Sequence, residues 1–322
     1  MPINAETLLR SLPDLPEMLA KLQNGEYQLF GGVVRHAAGS SNGGRIVGHL
    51  LFPDDALQTQ QSLQNLQSTL TSGLGSLQGG MGQLQQSMNV LQGLQSANLV
   101  LSGLNLAVTT AGFVIVCKKL NKISDQIQAQ SVAIEQTWNL VREGHERNIL
   151  IDEAQFRALL LTARQFCEQE DVQQLRALIA PFHKEYQFTK LVLEKHAPKA
   201  ASNIDRLNEI SLLQDRLVNL GLMLAHVQMK SGAPRFSQEC LTQLGSDLRN
   251  LNERRIEVLN SDRRLAARVT QSHLTDLTNF LQLGKKMMPA LTYQADVMSL
   301  EIQHPGLLKQ ASNSKEILLV AA

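Results

Sequence analysis

Between Ala56 and Cys117 the chain carries no Asp, Glu, Lys, Arg or His. That is 62 consecutive residues without charge in a protein of 322 residues that is 18% charged overall. A helix that faces water normally keeps ionic side chains on its outer face. Something excludes charge from a stretch of this length, and burial in other protein and contact with lipid are the two readings. A monomer of this size cannot easily hold all of it inside.

The run has two halves. The first, to about residue 97, is rich in Leu, Gln, Ser and Gly. Leu77, Leu84 and Leu91 recur every seven residues, and Leu74, Met81 and Met88 fill the second apolar position. This is the spacing of a helix-packing seam. Glycine costs about 1 kcal/mol relative to alanine inside a helix. Gly73, Gly75, Gly79, Gly80 and Gly82 therefore predict a bendable helix or a break.

The second half reads ANLVLSGLNLAVTTAGFVIVC, residues 97 to 117. As a helix it would be about 31 Å long, close to the roughly 30 Å of a bilayer core. Leu99, Val100, Leu101, Leu104, Leu106, Val108, Phe113, Val114, Ile115 and Val116 are its candidate membrane-inserting residues. Gly103, Ala107 and Ala111 lie four apart and form a small-residue stripe on which two helices can meet closely. Lys118, Lys119 and Lys122 follow at once and would remain on the cytoplasmic side. Asn98, Ser102, Asn105, Thr109 and Thr110 suit interhelical hydrogen bonds or one wet face.

The rest of the chain predicts a mainly α protein, an elongated helical bundle. Aromatics are 4% and Leu, Gln and Ala dominate, a balance that favours helix because unbranched side chains lose little rotamer freedom there. A short amphipathic helix is expected over 4–22, interrupted near Pro13 and Pro16. Residues 27–52 carry two β-prone runs around the turn-rich AAGSSNGG and predict a β-hairpin. An amphipathic helix is expected over 119–147. Further helices are expected near 152–180, 182–196, 202–230, 236–259 and 261–286, broken at Pro181, HAPKAAS, KSGAPRFS and NSDRR. The C-terminal SNSKEILLVAA reads as a short strand or extended tail on a polar tether. The chain divides by composition into residues 1–53, 54–148 and 149–322.

No arrangement of residues announces chemistry. The eight histidines include no i, i+4 pair and no Cys–His ligand spacing, so no metal or other cofactor is expected. Cys117, Cys167 and Cys240 are far apart and odd in number, which fits a reducing compartment better than a disulfide framework. The glycine-rich turn lacks the Gly-Lys-Ser/Thr ending of a phosphate loop. A net charge of +1 gives no footprint for nucleic acid. The first residues, with acids and prolines, do not read as a signal peptide.

The uncharged, small-residue-rich stretch within long helices resembles the α-helical pore-forming toxins of the cytolysin A and haemolysin BL type. The likeness covers the pattern over about residues 54 to 260. It implies a stretch hidden in the water-soluble form that enters lipid in the pore. The chain departs from the secreted members in lacking a signal peptide and in carrying the 27–52 hairpin. The expectation is therefore a non-enzymatic, membrane-active protein, a toxin or intracellular effector. It would be cytoplasmic until it inserts residues 97–117 and would assemble as a homo-oligomer on a lipid bilayer. A controlling protein partner that governs release is a further expectation. The alternative expectation is a scaffolding coiled-coil oligomer that buries the run between subunits.

Overall fold

The computed structural model describes residues 9–30, 32–53, 56–72, 90–92, 94, 155–156, 158–163, 165–166, 169, 171–201, 207–261 and 270–321. The described chain is mostly helical with a small antiparallel sheet, as its composition implies. It falls into two compact units, residues 1–115 with 296–322, and residues 116–295.

The first unit is built on the sheet. Strand β1 (Leu9–Ser11) leads through a single 3-10 turn (Leu12–Asp14) into helix α1 (Pro16–Gln23). Strands β2 (Tyr27–Phe30), β3 (Val33–His36) and β4 (Ile46–Leu51) form a meander. The last strand, β5 (Leu318–Ala321), completes a sheet of order β1-β5-β4-β3-β2. The expected hairpin is present: AAGSSNGG forms the tip between β3 and β4, where Gly44 takes φ +80° and its N–H donates to the carbonyl of His36. The same segment supplies a third strand, because Gly32 at φ +86° turns β2 back onto β3.

The helix expected over 4–22 is corrected by the structure. Among the described residues of that span, 9–11 are strand and the α-helix is Pro16–Gln23. The residue before a proline is pushed away from helical backbone, and Leu15, at φ −115° and ψ 70°, shows this ahead of Pro16. Pro16 then begins α1 at the first helical position, where its missing N–H costs nothing.

Helix α2 (Ala56–Ser72) opens the charge-free run and belongs to this unit. Leu63 and Leu66 are buried, whereas Gln60, Gln61, Gln64 and Gln67 are exposed. Its outer face is thus solvated by amides instead of charges. Thr59 Oγ1 donates to the carbonyl of Pro53 at 3.1 Å and ties the helix start to β4.

The second unit is helical: α3 (Val172–Ala177), α4 (Ile179–Ala201), α5 (Leu207–Lys230), α6 (Pro234–Ser261) and the first part of α7 (Gln271–Gln303), preceded by helical residues among 155–166. Helix α7 runs on into residues of the first unit, where α8 (Leu307–Ser312) follows it. Asp171 caps α3 by accepting the N–H of Gln174 at 3.1 Å. Helix α5 is the centre, with Leu217, Leu220, Met223, Ala225 and Val227 all fully buried. It ends in a Schellman turn: Gly232 has φ +77°, and Ala233 N–H reaches the carbonyl of Gln228. Pro234 starts α6 directly afterwards.

Two expected breaks are not breaks. Pro181 is the third residue of α4, where its N–H would lack an intrahelical partner anyway. Helix α4 also continues past Pro198, and α7 extends to Gln303 with Pro289 inside it, well beyond the expected end near 286.

Candidate functional site

The helical unit holds an open cleft of about 230 Å³ between α4, α5 and α6. His183, Tyr186 and Gln187 line it from α4, Leu224 and Gln228 from α5, and Phe236, Glu239, Cys240 and Gln243 from α6. Gly221 forms part of its wall because nothing larger fits. A Cβ there would stand 2.9 Å from Leu244 Cδ2 and 3.1 Å from Tyr186 Cε2.

Beneath the cleft lies a buried carboxylate. Asp247 is 2% exposed and accepts from three side chains: Tyr186 Oη at 2.8 Å, Gln243 Nε2 at 2.7 Å and Lys190 Nζ at 2.8 Å. Burial, followed by the neighbouring Asp247 charge, pushes the Tyr186 phenol far above its usual range. The Cys240 thiol is pushed up to about 11, chiefly by burial and then by Glu239. A thiol nucleophile acts as thiolate, and a phenol committed to a carboxylate is a poor acid. In this cleft neither the Tyr186 phenol nor the Cys240 thiol is therefore activated for transfer chemistry at neutral pH.

Two more buried cations lie in the same unit. Arg216 stacks over Phe156 at 4.0 Å and donates to Glu185 Oε2 at 2.9 Å. Arg255 stacks over Phe280 at 4.8 Å, but its Nη1 is held by neutral oxygens, Gln214 Oε1 at 2.9 Å and Asn252 Oδ1 at 2.8 Å. Desolvation lowers the Arg255 pKa to about 10. None of these residues stood out in the sequence. The i, i+4 pairs Tyr186/Lys190 and Gln243/Asp247 are the only local signal, and that spacing is common on solvated helices.

Most of the residues singled out from sequence lie outside the described residues, among them Leu99, Val100, Leu101, Gly103, Leu104, Leu106, Ala107, Val108, Ala111, Phe113, Val114, Ile115 and Val116. So do Leu77, Leu84, Lys118, Lys119 and Lys122, and the helix expected over 119–147. Leu91 is described; it is helical and buried, beside buried Val90 and Leu94. Among the described residues no helix is long and apolar enough to cross a membrane, and no three His, Cys, Asp or Glu side chains are grouped to hold a metal ion. No protein-family model, curated protein or solved structure matches the chain.

Proposed function

We propose that the protein is membrane-active: it shelters the charge-free run in one state and inserts residues about 97–117 into a bilayer in another, oligomerising and permeabilising it. The observation that carries this reading is the absence of any charge from Ala56 to Cys117. Placing a charge at a bilayer centre costs about 2.5–3.5 kcal/mol or more per residue, so lipid is one environment that selects against charge over such a length. The small-residue stripe at Gly103, Ala107 and Ala111 supplies a helix-packing surface of the kind used in lipid. Lys118, Lys119 and Lys122 would hold one end at the headgroups.

The test is flotation of folded protein with liposomes, read beside dye leakage. Co-flotation with leakage is the expected result. Val108→Asp should abolish both while leaving the folded helix content unchanged. Folded protein that neither floats nor causes leakage would count against the reading.

A second reading has its own support. Leu77, Leu84 and Leu91, with Leu74, Met81 and Met88, have the spacing of a helix-packing seam. A seam of that spacing, in which the apolar positions of one helix meet those of another, is what a scaffolding oligomer needs. That reading is distinguished by a defined oligomer that ignores lipid and is disrupted by Gly103→Leu.

A further inference from the structure

The cleft between α4, α5 and α6 carries a polar group that the packing of the helices does not use. Gln228 on α5 lines it and is only 7% exposed, yet its side-chain amide makes no hydrogen bond among the described residues. A buried amide without a partner forfeits free energy that pairing would otherwise recover. Gln243, on the α6 side, is half committed. Its Nε2 donates to Asp247, and its Oε1 has no partner among the described residues.

We propose that this cleft binds a small, uncharged, planar ring compound that carries a hydrogen-bond donor and an acceptor side by side, as a carboxamide or a nucleobase lactam does. The Gln228 amide is the recognition group. A glutamine amide pairs reciprocally with such an edge: its N–H donates to the ligand oxygen, and its own oxygen accepts the ligand N–H. Apolar surface comes from Leu224, the Tyr186 ring and Phe236, whose ring is 53% exposed in the first turn of α6. Aromatic side chains pair with other rings offset or edge to face.

Charge and size narrow the ligand. No Lys or Arg side chain lines the cleft, so it lacks the cation that phosphate and carboxylate sites use. Glu239 lines it but is paired with Arg235 at 3.3 Å, and Lys190 is bound to Asp247 beneath. A volume of about 230 Å³ lies below the roughly 300–1,000 Å³ of pockets for drug-sized ligands, which points to a single substituted ring.

The walls are set before a ligand arrives. Asp247 holds Tyr186 at 2.8 Å and Gln243 at 2.7 Å. Gly221 keeps the wall back where a Cβ would press on Tyr186 Cε2 at 3.1 Å. Groups already ordered lose less conformational entropy on binding. The site goes beyond the membrane-active reading and does not rest on it.

The experiment is saturation-transfer NMR on the full chain with benzamide and uracil as probes and benzoate as the anionic control. At least one of the two probes is expected to bind, at least tenfold more tightly than benzoate. Tighter binding of benzamide assigns the carboxamide kind, and tighter binding of uracil assigns the lactam. Folded protein that binds neither probe overturns the proposal, and so does benzoate binding as well as both. Gln228→Leu keeps the size of the side chain and removes the amide. It should weaken the bound probe about tenfold, the worth of one buried hydrogen bond. Unchanged affinity in the folded variant overturns the assignment. Should Gln228→Leu not fold, Phe236→Ala replaces it, because that ring is largely exposed. It should weaken binding about threefold or more through the lost ring contact. Unchanged affinity there overturns the proposal as well.

Discussion

The two units are held together by different physics. In the first, the central contacts are backbone ladders between short apolar strands, closed by Leu318–Ala321 from the far end of the chain. In the second, long helices surround an almost wholly buried α5, and charges sit inside: Asp247 with Lys190, Arg216 with Glu185, and Arg255 with amides. A buried charge commits its neighbours, because removing one partner leaves the other unsolvated and unpaired. A ladder strand set between two others commits the backbone groups of both. The helical unit is therefore fixed by buried side-chain partners, and the sheet unit by main-chain pairing.

Predictions can break this contrast. Because two units need not unfold together, each is read locally, by hydrogen exchange in denaturant. The largest effect is expected from Asp247→Leu. It leaves Tyr186, Gln243 and Lys190 facing an apolar group and should destabilise the helical unit by about 3–5 kcal/mol. Protection of β3 and β4 should be unchanged. An equal loss in both units would erase the distinction.

Next comes Arg216→Met beside Arg255→Met. The first strands Glu185 in the interior and should cost about 3 kcal/mol. The second leaves only neutral Gln214 and Asn252 behind and should lie within about 1 kcal/mol of the parent, because an apolar group can replace a buried ion without loss when no counter-ion is orphaned. Urea unfolding followed in α5 amides separates them. Equal costs would mean that stacking on Phe156 and Phe280, not ion pairing, sets the energetics.

Gly48→Val tests the sheet. It should cost about 1–3 kcal/mol by overpacking, and the loss should appear as faster exchange in Leu318–Ala321 and Leu9–Ser11 while β2 and β3 stay protected. The smallest effect concerns reactivity. In a chain with Cys117→Ser and Cys167→Ser, alkylation of Cys240 at pH 8 should run roughly a hundredfold slower than that of an unperturbed thiol, because raising the pKa from 9.0 to about 11 removes thiolate. The rate should keep rising with pH up to about 11. Ordinary reactivity at pH 8 would show that the cleft does not desolvate its thiol.

Much of this was local and therefore legible. Helix dominance follows from composition, the β3–β4 hairpin from AAGSSNGG between β-prone runs, and the C-terminal strand from ILLVA after a polar tether. Pro234 at a helix start and the turn at KSGAP are likewise written in neighbouring residues. The charge-free run is a property of sequence alone, and it carries the proposed activity.

Other features were decided only by tertiary contact. Residues 9–11 are a strand because β5 offers them a ladder from more than 300 residues away. No local pattern in LRS encodes that partner. Asp247 is a buried hub because α4 and α6 bring Tyr186 and Lys190 to it across some 60 residues of chain; its sequence neighbourhood reads as an ordinary solvated helix face. Gly48 is required because of where Val320 arrives. Propensity and periodicity fix what each segment can become. Which backbone groups find partners, and which charges lose water, depends on segments that meet only when the chain has folded.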